Sequence, residues 1–445
     1  MVFTEGKYLS IILYMNRVGF IVFGDFVAFW LSFVVILFIR FGHSSYQQAI
    51  SIHFFPFVIL YFSWVLSFFL FGLYDLFTIK PTIPHLNRFA WALSVCFIIG
   101  IFLFYFVSIF GITPKTNLLF QLLGFGVISF SIRRMIYVIF SETITRPVIL
   151  IGSSKDIDEI NDVISNHPQL GLKTIDHLEN FKEAIKKYEL IHNAIFIFKN
   201  ISEKIPNENI VNLYKKNTEI INIAQAYEEY LHKIPVGYID QTWIIENIKI
   251  KENILYKITK KILDLSFAIA LLIITSPLLL ICSLFIYFYD RGPIIYKQKR
   301  IGLNGKEFEI YKLRSMIVNS GKSMLHHSTP VNDPRITPVG KVIRKLHIDE
   351  IPQMINILKG DMTLVGPRPE CREFTEPFKQ SIPHYEIRQI IRPGFTGWAQ
   401  IKYRHTNTIE DTREKFEYDL YYIKNKNIFI DLGVILRTIQ IIFTH

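Results

Sequence analysis

Four apolar stretches precede residue 141, at about 18–39, 54–74, 89–110 and 118–140, and they constrain this chain more than any other feature. Each is near the ~20 residues that carry a helix across a bilayer core. A helix also satisfies its own backbone polar groups in lipid, so the pattern predicts an α-helical transmembrane bundle over residues 1–145. Composition agrees, because 50% hydrophobic and 15% aromatic residues in 445 are too apolar for a purely soluble chain. In that setting the net charge of +11 reads as cytoplasmic flanks and a surface for anionic lipid or phosphate, and nucleic acid is set aside as a partner. Lys7 and Arg17 precede the first stretch, Lys80 and Arg88 separate the second from the third, and Arg133, Arg134 and Arg146 surround the end of the fourth. By the bias of basic residues towards the inside, both ends of the bundle face the cytoplasm. Asp25 lies inside the first stretch, where a carboxylate marks either a functional site or an interhelical hydrogen bond. Cys96, Cys282 and Cys371 form no CxxC pair, which supports neither a disulfide framework nor a zinc site. No small-residue cleavage signal follows the first stretch, so that helix is expected to stay.

From Arg146 the pattern changes to α/β. Residues 147–152 and 193–198 read as buried strands separated by charged helical stretches, a small doubly wound, nucleotide-binding-like (Rossmann-like) domain bounded at 146–250. Gly152-Ser153-Ser154 stands where a nucleotide loop would lie, yet the close-approach glycines that admit a pyrophosphate are missing. A structural or regulatory role is therefore expected there.

A fifth apolar segment, 265–289, carries Ser276-Pro277 at its centre. Lys257, Lys260 and Lys261 precede it, and Arg291, Lys297, Lys299 and Arg300 follow it, so a spanning helix would put one dense basic cluster outside. A re-entrant hairpin over about 262–290 removes that conflict: Pro277 kinks the helix and Ser276 satisfies a freed carbonyl. A kinked spanning helix is the alternative.

The run that follows is dense in basic and small residues: Gly292-Pro293, Gln298-Lys299-Arg300, Gly302, Gly305 and Lys312-Leu313-Arg314-Ser315-Met316. Such groups suit phosphate, although a plain basic flank has the same composition. Further on stand Arg344, the pair Asp349-Glu350, Pro352-Gln353, Gly360-Asp361-Met362 and Gly366-Pro367-Arg368-Pro369. An Asp-Glu pair alone is common on solvated helix ends. Here a carboxylate able to attack phosphorus, a neighbour able to ligate Mg²⁺ and arginines able to neutralise phosphate occur together.

With Lys261 and Asp264 at the hairpin start, and Arg392-Pro393-Gly394 leading into Gly397-Trp398-Ala399-Gln400, these ordered motifs resemble the bacterial polyprenyl-phosphate hexose-1-phosphate transferases, the monotopic phosphoglycosyl transferases. The likeness covers about 257–445, and the preceding helices and α/β domain resemble the long form of that family. The resemblance implies a mostly α-helical catalytic domain over 251–445 in a multi-pass protein of the bacterial inner membrane, with that domain on the cytoplasmic face. It implies transfer of hexose-1-phosphate from a UDP-sugar to undecaprenyl phosphate, glucose or galactose being preferred, at the start of exopolysaccharide, capsule or O-antigen synthesis. Asp349 would be the nucleophile and Glu350 the Mg²⁺ ligand, with Arg344, Arg368, Lys312 and Arg314 around phosphate. Asp361 and Gln353 fit scaffold roles equally, and a homo-oligomer is compatible with all of this. His347 and Ile348 depart from the family's usual residues without touching the reactive groups.

Two rivals make different demands. A processive glycosyltransferase would need a DxD-type carboxylate pair, which is not seen, and a membrane-anchored scaffold would tolerate Asp349→Asn. Near the C-terminus, Phe416, Tyr418, Leu420 and Tyr421-Tyr422, followed by 428–442, read as an amphipathic segment that either lies on the membrane surface or packs in the catalytic core. Trp398 suits either a base-stacking or an anchoring role.

Overall fold

The computed structural model describes residues 5–106, 115–143, 145–199, 207–248, 253–317, 333–403 and 408–444. The side chains of Lys7 and Arg17 lie outside the described residues, as does 107–110 of the third apolar stretch. The chain divides into two compact units, Met1–Tyr230 and Leu231–His445.

The first unit opens with helices long and apolar enough to cross a membrane: α1 (Val18–His43) and α2 (Ser45–Leu70), joined at Gly42 with φ 61°, then α3 (Ile83–Phe106) and α4 (Lys115–Val138). Their outer faces expose Phe23, Phe62 and Ile98, and their inner faces bury Phe29, Trp64, Phe68 and Phe125. Lipid offers no hydrophobic drive between such helices, so close packing and polar links hold them. A Cβ on Gly24 would lie 2.5 Å from Ile132, an approach only glycine permits. Trp64 Nε1 donates to Cys96 O (2.9 Å) and Gln121 Nε2 to Phe29 O (2.9 Å). Asp25 is fully engaged: Arg133 donates to both of its oxygens and Ser129 Oγ to Oδ1 (2.7 Å), with the guanidinium also over the Phe68 ring.

The same unit then forms a parallel four-stranded sheet of β1 (Arg146–Ile151), β2 (Leu172–Leu178), β3 (Ile195–Phe198) and β4 (Glu219–Asn222), in the order β2-β1-β3-β4. Helices α5 (Lys155–Asn166), α6 (Phe181–Lys187) and α7 (Asn207–Lys215) make the crossovers. Both strands read from sequence are present, as the inner pair of the sheet. At the end of β1 the loop turns on Gly152 (φ 95°), and His177 Nε2 lies 2.6 Å from Gly152 O, so β2 closes over it.

The second unit begins with α8 (Ile254–Asp290), helical throughout with Pro277 inside. The carbonyl deprived of its donor by Pro277 is that of Ile273, and Ser276 Oγ donates to it at 2.8 Å. Both ends of α8 pack on the unit: Ala268 joins the core containing Ile310 and Val365, and Ile286 the core containing Leu313 and Ile348. The middle is bare, with Ile273 67%, Ile274 74% and Leu280 64% exposed.

Behind α8 come the antiparallel hairpin β5 (Ile295–Ile301) and β6 (Glu307–Leu313), then α9 (Pro338–Lys345), a 3₁₀ turn (Ile348–Gln353) and α10 (Met354–Lys359). The parallel pair β7 (Thr363–Val365) and β8 (Gly394–Thr396) flanks α11 (Arg372–Ser381), and α12 (Ile409–Asn425) and α13 (Ile428–Thr444) close the chain. Val434 and Ile435 of α13 are buried in the core of α8 and β7, so this helix packs, while Phe429 is 81% exposed. Residues 234–239 join Phe378, Tyr385, Phe416 and Leu420 in a third core.

Candidate active site

Asp349 and Glu350 sit on the first turn of the 3₁₀ segment, which starts at His347 in the left-handed conformation (φ 54°). Pro352 and Gln353 are buried behind them, and Asn356 locks the segment to the hairpin. Its Nδ2 donates to Glu309 O (2.6 Å) and its Oδ1 accepts from Tyr311 N (3.1 Å). That bond sets the register that brings Lys312 of β6 to the carboxylates, 38 residues away in sequence. Arg368 arrives from the other side, on the turn after β7. There three glycines interlock: a Cβ on Gly366 would meet Arg392 O at 2.6 Å, one on Gly394 would meet Gly366 N at 2.1 Å and one on Gly397 would meet Gly366 O at 2.3 Å. No side chain fits at any of the three, so the turn holds one path.

The two carboxylates are treated differently. Glu350 Oε1 accepts from Lys312 Nζ (2.7 Å) and Arg368 Nη2 (3.0 Å), while Oε2 has no partner among the described residues. Burial pushes the Glu350 carboxyl up, but Arg368 and Lys312 outweigh it and hold the group well below the usual carboxylate range. Asp349 is 8% exposed, and its side chain accepts no hydrogen bond among the described residues. Burial first and the Glu350 charge second raise its carboxyl above the ordinary value, with Lys312, Arg344 and His347 pulling the other way. A group that is buried, unpartnered and more basic than usual is available to react.

The remaining residues read from sequence take separate places. Arg344 stands in the last turn of α9 and acts on Asp349 through its charge. Arg314 is buried and donates to Asp290 and to Ile286 O (3.4 Å), so its guanidinium closes the C-terminal end of α8. Asp264 accepts from Thr363 Oγ1 (2.6 Å) and Leu364 N (3.0 Å), pinning the other end of α8 to β7. Asp361 lies 3.5 Å from Asn356 Nδ2 in the scaffold. Trp398 stacks on Tyr421 (5.5 Å between centroids) and donates to His232 O (3.0 Å), so its ring is spent on packing.

Sequence reading passed over a further network. Arg388 bridges Glu370 (2.7 Å) and Asp419 (3.0 Å) and donates to Arg368 O (3.1 Å), fixing the backbone that presents Arg368. Burial pushes Asp419 up to about 6 and Lys415 beside it down to about 8. The signal was weak, because Arg388 lies 18 residues from Glu370 and 31 from Asp419, and no periodicity or motif links the three. Among the described residues no group of three or more His, Cys, Asp or Glu could hold a metal by itself. The Glu350 carboxylate would fit Mg²⁺ once substrate phosphate oxygens are present, since that ion is commonly held by one or two carboxylates plus phosphate.

Residues 255–445 match the family described as Bacterial sugar transferase. The chain is 43% identical over 190 residues to UDP-N-acetylgalactosamine-undecaprenyl-phosphate N-acetylgalactosaminephosphotransferase of Aeromonas hydrophila, covering 43% of this chain and 45% of that protein. It is 37% identical over 185 residues to UDP-glucose:undecaprenyl-phosphate glucose-1-phosphate transferase of Escherichia coli (strain K12), covering 41% and 40%. A protein of the same name from Caulobacter vibrioides (strain ATCC 19089 / CIP 103742 / CB 15) is 37% identical over 187 residues, 42% of this chain and 70% of that one. The match thus spans less than half the length of the first two.

Proposed function

Because the chain belongs to the bacterial sugar transferase family, we propose that it moves a sugar-1-phosphate from a UDP-sugar to undecaprenyl phosphate, with Asp349 as the covalent nucleophile. The observation that carries this reading is the division of labour between adjacent carboxylates: Glu350 is held by two cations, and Asp349 is buried and free to react. A carboxylate oxygen of Asp349 attacks the sugar-bearing phosphorus, the bond to the bridging oxygen of the diphosphate breaks, and UMP leaves with that electron pair. An oxygen of undecaprenyl phosphate then attacks the same phosphorus and releases the Asp349 carboxylate, giving the undecaprenyl-diphosphate-sugar. Arg368, Lys312 and Arg344 supply positive charge where phosphate charge shifts. Glu350 would help to hold Mg²⁺, and the ion when bound would neutralise diphosphate charge.

The geometry of α8 supports a re-entrant placement at the cytoplasmic face of the inner membrane. Ala268 and Ile286, towards its two ends, are buried in cores of the same unit, while Ile273, Ile274 and Leu280 between them are exposed. A bend at Ser276-Pro277 would let the exposed middle dip into lipid while both ends return to one body, and an acceptor confined to the headgroup layer would then come to the face that carries the carboxylates.

The sugars in the relatives' names differ, N-acetylgalactosamine in one and glucose in two, so the donor is best sought among UDP-hexoses and their acetamido forms. Synthesis of an extracellular or capsular polysaccharide, or of O-antigen, is the setting that follows from such a product. The test is full-length protein in nanodiscs with Mg²⁺, undecaprenyl phosphate and a panel of UDP-sugars, following UMP. Release from one donor, lost in Asp349→Asn, supports the mechanism. UDP in place of UMP, or UMP unaffected by the substitution, overturns it.

A further inference from the structure

A cleft of about 440 Å³ opens at the root of α8, walled by that helix, the end of α10, β7 and the end of α12. Six cations line it: Lys257, Lys260, Lys261, Lys359, Arg392 and Lys426. Against them stands one lining carboxylate, Asp264, and both of its oxygens are occupied by Thr363 and Leu364. Lys260 is neutralised by Asp431 (2.9 Å) and Lys359 donates to Tyr311 (2.6 Å). The side chains of Lys257, Lys261 and Arg392 make no hydrogen bond or ion pair among the described residues.

A basic flank that only orients a helix needs charges next to that helix in sequence. Here residues 359, 392 and 426 reach the same cleft as 257–261 from three other elements, and a topology signal requires no such convergence. The cleft also sits where α8 turns apolar, with Ile258 and Ile262 more than half exposed. Its wall β7 runs on within three residues to Arg368, so the cleft lies near the carboxylate pair but shares no residue with it.

We propose that this cleft is a second phosphate site, which takes the phosphate of a lipid at the bilayer surface. The inference rests on the reading of α8 as membrane-embedded. The chemistry is shared by two sources, the terminal monoester phosphate of a polyprenyl phosphate and the diester headgroup of an anionic phospholipid. Uncommitted Lys and Arg side chains would meet either with charge-assisted hydrogen bonds.

Native mass spectrometry of the full chain, carrying undecaprenyl phosphate, phosphatidylglycerol or phosphatidylcholine, tests this. One equivalent of an anionic lipid should be retained in preference to phosphatidylcholine. Arg392→Glu should weaken that binding about tenfold, the worth of one charge-assisted hydrogen bond. Lys261→Gln, on a different element, should weaken it less, so that misfolding of one variant cannot imitate the result. Preference for undecaprenyl phosphate identifies an acceptor cleft, equal retention of phosphatidylglycerol a headgroup site, and both support a phosphate site. Equal retention of phosphatidylcholine, or unchanged binding in both variants, overturns it. UMP release without acceptor, recorded in the same samples, should persist in Arg392→Glu. Its absence from the wild type would sink the transferase reading while leaving the lipid measurement intact.

Discussion

Two aspartates, each buried near an arginine in a different unit of the molecule, end in opposite states. Asp25 in the helical bundle has both oxygens filled by Arg133 and Ser129, and aromatic rings wall the guanidinium. Asp349 in the second unit has cations nearby but no hydrogen-bond donor among the described residues, because its neighbour Glu350 takes Lys312 and Arg368. A saturated carboxylate joins helices; an unsaturated one, kept buried at a cost, is held ready for a partner that comes and goes. Burial and charge alone do not separate the two cases, whereas the count of filled lone pairs does.

Substitution at the open carboxylate should have the largest effect. Asp349→Asn keeps the shape but removes the proposed nucleophile, and UMP release should fall by about four orders of magnitude or more, with little change in thermal unfolding. At the saturated carboxylate the pattern should invert. Asp25→Asn strands Arg133 and should cost about 3–5 kcal/mol of stability, read as a lower unfolding midpoint in detergent, with UMP release retained in the folded fraction. Replacing both partners with Leu and Met should recover most of that loss.

Arg368→Met lies between the extremes, since it removes a cation from Glu350 and, in the proposed mechanism, from the substrate phosphate as well. Its kcat/KM should drop about 10²- to 10³-fold. The smallest effect concerns pH. In the proposed mechanism ionised Asp349 is the reactive form, and its pKa is raised, so activity should fall on acidification at a pH above the ordinary carboxylate range. Lys312 opposes that rise, so Lys312→Met should move this acid limb to higher pH in single-turnover UMP release; an unmoved limb would mean another group titrates. Glu350 works in the opposite sense: with its pKa depressed, it adds stability above about pH 4.3, lost as pH falls through the lower folded value. Denaturant titrations of wild type and Arg368→Met across that window measure this term.

Local chemistry was legible in the chain and distant pairing was not. Ser276-Pro277 could be read because the carbonyl that proline frees and the hydroxyl that serves it lie three residues apart. The inner strands β1 and β3 were legible as continuous apolar runs, but β2 was not, since as an edge strand it buries mainly its two end residues, Leu172 and Leu178. Arg314 and Arg368 looked alike as members of basic motifs, yet one closes a helix end on Asp290 and the other reaches Glu350. Nothing within either motif distinguishes them, because the choice depends on which carboxylate the fold brings near.

The amino-acid sequence by itself determined the membrane-crossing lengths, the proline in α8, the adjacency of Asp349 and Glu350 and the supply of cations, all of which depend on neighbours along the chain. Only the tertiary structure decided that Asn356 fixes the hairpin register, that three glycines seat the turn bearing Arg368, and that one carboxylate is filled while the other is open. Lone pairs are filled by whatever donors lie within about 3 Å, and across 18 to 108 residues of chain only packing selects them.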